Sequence, residues 1–295
     1  MKQTWKRKRG RRPAACAVVL ATLLTSGCSA AAWQNVGMGV GDFTTTWTVG
    51  SCHRLDQLEE TDPTFPSDTS PAVPCDSSHE SETYADLPIT GAVAAQPERP
   101  SPLWLEQALA GACSWSAMTA YLGGQPLDAL LNVQILQIVP SEPEWARGVR
   151  TLRCDVLIGP RTSAGVNSVS VPLRGILKVP AGDQFRVCSV DGQELGCDQP
   201  HDGELINAWM KFKAGPPSAR TTAAEKAEVL AFCRPKAVAF LGAPLAKRPG
   251  VALYAGLPPQ APTAGTKALG QCWLGDAHRS RLWTGSLRSG VRRLP

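Results

Sequence analysis

Apolar residues recur at helical intervals in two stretches of the chain. In "TAAEKAEVLAFCRPKAVAFLG", Val229, Leu230, Phe232, Cys233, Ala237 and Phe240 share one side of a 3.6-residue helix. Thr222 and Glu225 stand at capping-box spacing before it, and Gly242 is placed to end it. Pro235 is expected to kink or break that helix. "PLWLEQALAGACSWSAMTAYLGG" predicts an earlier helix with Leu105, Leu109, Ala112, Cys113 and Ala120 facing inward, stopped by Gly123 and Gly124. Gly111 inside it is unfavourable. Other stretches read as strands: "LNVQILQIV", "TLRCDVLIG" and "VSVPLRGILKV" are short, aliphatic and bounded by Pro or Gly. In "QFRVCSVDGQELGCD", Asp191-Gly192 is a hairpin cue, and a loop at 191–194 would set Cys188 opposite Cys197. Pro-, Gly- and Ser-rich connections such as "QLEETDPTFPSDTSPAV" and "KAGPPSARTT" separate these elements.

The elements fall into two matching series. "CDSSHESE" from Cys75 and "CDQPHDGE" from Cys197 repeat C-D-x-x-H-acid-x-E. His79 to Cys113 is 34 residues and His201 to Cys233 is 32; Cys113 to Cys154 is 41 and Cys233 to Cys272 is 39. "VPLRGIL" follows Cys154 and "TGSLRSG" follows Cys272, each with a Leu-Arg pair. The expected architecture is α+β: two homologous disulfide-stapled domains, 49–176 and 177–295, each a small, mostly antiparallel sheet with one main helix.

The first residues and the cysteine count lead to the expectation of an exported chain. "MKQTWKRKRGRR", the apolar run "PAACAVVLATLL" and "TSGCSA" read as an export signal over 1–27. Its ending is similar to a bacterial lipobox, which would make Cys28 a lipidated first residue, with 28–48 as a tether. The apolar run is shorter than the roughly 20 residues a membrane span needs. The precursor carries 30 Lys+Arg and 25 Asp+Glu; residues 1–27 hold seven of the cations, which leaves 23 against 25. No basic cluster then proposes a nucleic-acid partner. Beyond the signal, eight cysteines remain: Cys52, Cys75, Cys113, Cys154, Cys188, Cys197, Cys233 and Cys272. An even number in an exported chain reads as disulfides, and no C-x-x-C pair suggests zinc. Cys188–Cys197 and Cys52–Cys75, with Cys113–Cys154 and Cys233–Cys272, are the preferred pairings; four cysteines permit three connectivities in each series.

The candidate chemistry is concentrated in Asp76, His79 and Glu82 and in Asp198, His201 and Glu204. Histidine with carboxylates can ligate a metal or move protons, so an envelope hydrolase or metal-dependent enzyme is one reading. The other histidines, His53 and His278, have no counterparts, and neither G-x-S-x-G nor H-E-x-x-H is present. The better-supported reading is a corner of the fold or a binding motif. The aspartates would cap turns, and the histidines would donate to a carbonyl or carboxylate. No cofactor and no catalytic residue is expected. Trp145, Trp273 and Trp283 are candidate core residues, with a stacking surface for glycan or peptide as the alternative.

"VGSC", "VPCDSSHESETY", the helix with Cys113, "PSEPEWARGVRTLRC" and "PLRGIL" together resemble the septum formation family of actinobacterial cell-envelope proteins. "CDQPHDGELI" and "TGSLRSG" resemble it again, so the likeness covers roughly 49–176 and 180–290. Ser51 stands where the family's G-D-C start has Asp, and Thr263 stands opposite Trp145. The family's name suggests cell division. Taken with the lipobox-like segment and the disulfide frame, the expectation is a lipid-anchored protein on the extracytoplasmic face of the cell membrane that binds or scaffolds an envelope protein or wall component, linked to septum formation or wall growth. It identifies a domain type rather than an activity.

Overall fold

Two five-stranded antiparallel sheets, threaded by the chain in the same order, form the fold. In this computed structural model residues 48–56, 58–59, 65–159, 167–213, 222–257, 267–278, 282–288 and 292–293 are described. The export-type segment, Cys28, the tether up to residue 47 and Thr263 lie outside them. All described residues belong to one body, Thr44–Pro295.

The strands of the first half are β1 (Cys52–His53), β2 (Leu58–Glu59), β3 (Ser67–Asp68), β4 (Ala72–Val73), β5 (Ser81–Pro88), β6 (Val133–Ile138) and β7 (Thr151–Ile158). Those of the second are β8 (Val187–Val190), β9 (Gln193–Gly196), β10 (Gly203–Lys213), β11 (Val251–Gly256), β12 (Lys267–Asp276), β13 (Trp283–Thr284) and β14 (Arg292–Arg293). The helices are α1 (Gly91–Ala94), α2 (Pro102–Leu109), α3 (Trp115–Tyr121), α4 (Glu142–Ala146) and α5 (Ala223–Leu241). The sheets run β4-β1-β5-β7-β6 and β9-β8-β10-β12-β11. Both therefore place the second strand of the series outside the first, and the last between the third and fourth. Small pairs β2–β3 and β13–β14 complete the strands.

Each sheet buries one face against helices. Leu152, Cys154 and Val156 of β7 pack with Leu105, Leu109, Met118, Leu122, Trp145 and Leu173. Ile206, Cys272 and Leu274 pack with Val229, Cys233, Ala237 and Phe240 of α5, and with Trp283 and Leu287. Trp145 and Trp283 are thus core residues, and Trp145 Nε1 donates to the Gln96 carbonyl at 3.0 Å. The Ser141–Glu144 capping box starts the single turn of α4 that carries Trp145.

The four disulfides are Cys52–Cys75, Cys113–Cys154, Cys188–Cys197 and Cys233–Cys272. Several sequence expectations are revised around them. Cys113 is not in a helix: Gly111 at φ 74° ends α2, and Ser114 caps α3 by accepting from Ala117 N, so the cysteine sits in the break. One helix becomes two, and Met118 and Leu122, not Ala112 and Ala120, fill the inward face. The first half therefore lacks a single main helix. In α5 the helix runs unbroken through Pro235. Pro235 and Ala231 are both exposed, so water can take the carbonyl bond that proline cannot make. "VSVPLRGILKV" forms a turn and a 3-10 segment at Ile176–Lys178, because Pro172 has no N–H to pair and Gly175 takes φ 74°. The hairpin loop is Asp191–Gly192 alone, both at positive φ, and Cys188 faces Leu195 while bonding diagonally to Cys197.

A strap between α3 and β6, residues 125–131, joins the sheets. Leu131 N donates to Phe185 O, Val187 N to Ala129 O and Asn207 N to Leu127 O, each at 2.9–3.0 Å. Buried Asp128 lies 2.8 Å from Arg186 Nη1 and 3.0 Å from Arg288 Nε, tying both halves to one carboxylate.

Loop length sets the expected weight of the bridges. Replacing Cys113 and Cys154, 41 residues apart, by alanine is expected to cost about 4 kcal/mol, against about 2.5 kcal/mol for Cys188 and Cys197, 9 residues apart. Urea unfolding of the two double variants checks the order; equal losses contradict it.

Candidate functional site

Each C-D-x-x-H-acid-x-E stretch begins with a tight turn just after a sheet strand. Ser77 N donates to Pro74 O in one and Gln199 N to Gly196 O in the other, at 2.9 and 3.1 Å. The turns are closed by backbone. Asp76 and Asp198 are exposed there, and neither carboxylate makes a hydrogen bond to the turn among the described residues.

The histidines are fully buried. His79 Nδ1 lies 2.8 Å from Ser77 O and His201 Nδ1 lies 2.7 Å from Gln199 O. A carbonyl can only accept, so each Nδ1 carries the proton and each Nε2 is left with a lone pair. Among the described residues both Nε2 atoms are buried without a hydrogen-bond partner. His201 meets Trp283 edge-on, with ring centroids 6.3 Å apart. Burial lowers the His201 pKa below its ordinary value. The main chains of both histidines are also held: His79 exchanges two hydrogen bonds with Val169, and His201 exchanges two with Trp283.

Four residues beyond Val169 and Trp283 come Leu173 and Leu287, the leucines of the two Leu-Arg pairs, and these are where the glutamates act. Glu82 opens the central strand β5 beside Cys52, on the helix side of the sheet. Its Oε2 accepts from Leu173 N at 2.5 Å; its Oε1 accepts from Arg174 N at 3.1 Å and from the Tyr121 hydroxyl. Glu204 opens β10 beside Cys188. Its Oε2 accepts from Leu287 N at 2.7 Å and its Oε1 from Ser286 Oγ at 2.6 Å. The next residue in each turn stacks on a helix: Arg174 lies 5.1 Å over Tyr121, and Arg288 lies 4.3 Å over Phe240. Burial, and then Glu82, pushes the Tyr121 hydroxyl well above its usual range, so it stays a donor.

A metal has little to take here. Sulfurs of Cys188 and Cys197 gather with a His201 nitrogen, and those of Cys52 and Cys75 with a Glu82 oxygen, within 4.8 Å. Both sulfur pairs are disulfides and lack the thiolate that ligates a metal. Glu82 and Glu204 already serve as backbone acceptors.

A family model described as septum formation matches residues 49–270, well over half the chain. The chain belongs to the septum formation family. Among curated proteins and solved structures, none matches it. The family description points toward cell division or the cell envelope. The family match is continuous through both His/Glu motifs and the strap between the sheets.

The sequence singled out the glutamates and the Leu-Arg pairs separately, without joining them. Tyr121 and Phe240 carried a signal, since "AYLGG" and "AFLGA" both precede a helix stop. Ser286, Asp128, Arg186 and the buried Arg153–Asp155 pair on the other face of sheet one carried none. Arg153 Nη2 lies 2.6 Å from Asp68 and 2.9 Å from Asp155, while Ser81 and Thr83 donate to Asp155.

Burial pushes the Glu204 carboxyl from 4.5 up to about 7, against the lowering effect of its two hydrogen bonds. Folding therefore favours a protonated Glu204. That contribution is fully present below the unfolded value of 4.5 and is lost as pH rises through about 7. His201 works oppositely, its contribution being lost as pH falls below 6.5, but it is common to wild type and Glu204→Gln. The stability of wild type relative to that variant is expected to grow by up to about 3 kcal/mol as pH falls from about 8 to about 4.5. Urea titrations across that range measure it, and a flat difference contradicts the assignment.

Proposed function

We propose that the chain is a binding and scaffolding protein of the cell envelope, acting in septum formation or wall growth. In this reading it is exported by the segment 1–27 and held to the outer face of the cell membrane by lipid on Cys28. Two homologous copies of one unit, 49–176 and 177–295, form its body, and an envelope protein or wall component is its partner. The actinobacterial character of the sequence pattern belongs to the same proposal.

The observation that carries it is the use made of the two His/Glu motifs. Each glutamate spends its oxygens on a distant turn, and each histidine spends its one donor on a carbonyl two residues back. A rigid frame repeated twice suits a protein that presents surfaces. The identical strand order of the two sheets supports the copies, and four disulfides suit an oxidising compartment.

Fractionation and imaging of a fluorescent fusion of the full chain test this. The wild type is expected in the membrane fraction and enriched at division sites, and Cys28→Ser is expected to shift it to the soluble extracytoplasmic fraction. Uniform distribution of the wild type, or membrane association indifferent to Cys28, overturns the reading. Elemental analysis of the purified chain is expected to find no stoichiometric metal; one bound zinc per motif would revive the enzyme alternative.

A further inference from the structure

The outer faces of the two sheets, away from the helices, are built on the same strand order but finished differently. On sheet one the chain covers itself. The long connection from β1 to β4 lays Leu55, Leu58 and the strand β3 over Leu136, Ile138 and Leu157. There Asp68 of the covering segment meets Arg153 of the sheet, both fully buried. On sheet two the corresponding connection, from β8 to β9, is only Asp191–Gly192. Two residues cannot cross a sheet; among the described residues the strap's Ala129 and Leu131 cover part of that face, against Val187, Leu205 and Trp273, and the part beside the hairpin is open.

What remains there is a cavity of about 460 Å³, bordered by Ser189, Asp191, Asp202, Tyr254 and Trp273. Its floor depends on glycine. A Cβ on Gly256 would sit 2.6 Å from Trp273 Nε1, and one on Gly275 would sit 2.9 Å from Tyr254 Cε2. On Gly203 it would approach Ser189 Oγ to 3.0 Å and Trp273 Cε3 to 3.5 Å. Bare backbone at three neighbouring positions lets both rings lie close on the sheet. The rings are themselves pinned: Tyr254 donates to Asp276 O at 2.6 Å and Trp273 Nε1 to Gln271 Oε1 at 3.2 Å. Both remain half-buried, as does Asp202, and Asp191 is exposed. Among the described residues no Lys or Arg borders the cavity and neither aspartate is ion-paired.

We infer that this groove binds an extended peptide segment carrying an arginine or lysine side chain. The inference rests on the binding role proposed above and names its partner class. Sheet one shows what such a face accepts, a stretch of extended chain whose charged side chain meets one from the sheet. On sheet two Gln271 stands where Arg153 stands, directly before the strand cysteine, and Asp191, Asp202, Tyr254 and Trp273 border the open part of the face, so the positive charge is missing at that place in the sheet. A guanidinium fits these groups, pairing with the aspartates and lying over an indole or phenol ring. The chain makes the same stack internally, with Arg150 4.0 Å over Trp145, Arg288 over Phe240 and Arg174 over Tyr121.

Calorimetric titration of the full chain in detergent tests this with three probes: the blocked pentapeptide Gly-Ser-Arg-Ser-Gly, its counterpart with Glu for Arg, and an N-acetylglucosamine tetramer. The arginine peptide is expected to bind saturably and the glutamate peptide not to bind. The variant Asp191→Asn/Asp202→Asn is expected to weaken binding by about tenfold or more. Asparagine tolerates the positive φ at 191, so the variant is expected to keep the wild-type unfolding midpoint. Trp273→Leu, checked the same way, is expected to weaken binding too. Equal binding of the two peptides, wild-type affinity in the aspartate variant, preference for the sugar tetramer, or no binding of any probe overturns the inference. Loss of the groove in this assay leaves the membrane and division-site localisation of the chain as it was, so the two readings fail separately.

Discussion

A buried carboxylate that accepts the backbone N–H of a leucine some ninety residues later is the contact on which each half of this protein is organised. Glu82 reaches Leu173 across 91 positions and Glu204 reaches Leu287 across 83. Burying a carboxylate is costly unless its oxygens are filled, and leaving a turn amide without an acceptor is costly as well. At Glu204 the hydrogen bonds from Ser286 and Leu287 offset part of the burial cost, and burial outweighs them. Because the glutamate begins a central strand and stands beside a disulfide, the Leu-Arg turn is fixed to the stiffest part of the sheet. The arginine that follows then lies on an aromatic residue at the end of a helix, Tyr121 or Phe240, so strand, turn and helix are locked together. The histidine three residues before each glutamate secures the same turn segment from its other end, through main-chain pairing with Val169 or Trp283.

The halves are not interchangeable, and the differences lie in connections. In the first half the long link after β1 folds back over the outer face and seals Arg153, Asp155 and Asp68 from water. Those charges are affordable only as a network, since removing one partner would strand the others. In the second half the link shrinks to a hairpin turn, and Trp273 stands where Asp155 stands, directly after the strand cysteine. The strap at 125–131 belongs to the first half by sequence yet bonds to β8 and β10 of the second, and Asp128 holds arginines from both flanks of that half. This explains why two sheets of modest size form one body.

Much of the frame was legible in the residues. Spacing of cysteines and of the His/Glu motifs pointed to the four disulfides and to two matching strand series, because covalent and turn constraints are local and leave fixed intervals. The helix at 223–241 announced itself by its capping box and its glycine stop. The first-half helix misled because Gly111 and Ser114, each tolerable inside a helix pattern, together end one helix and start another. "VSVPLRGILKV" looked like a strand by composition, but its amides are claimed by Glu82 from far away in sequence, which no local pattern encodes. For the same reason Asp128, Arg186 and Ser286 gave no signal: polar residues become partners only when the fold brings them together. The groove around Trp273 was visible only as an isolated aromatic, since it is made by three glycines on three strands and by a covering segment that the second half lacks.

The central claim is that Glu82 and Glu204 are structural acceptors for the Leu-Arg turns. Amide hydrogen exchange measured residue by residue in wild type, Glu82→Ala and Glu204→Ala, which remove the acceptor oxygens, tests it most directly. The account predicts slow exchange at Leu173 and Leu287 in wild type, with Leu173 deprotected in the first variant, Leu287 in the second, and the opposite turn unchanged in each. Protection that survives both substitutions would contradict it.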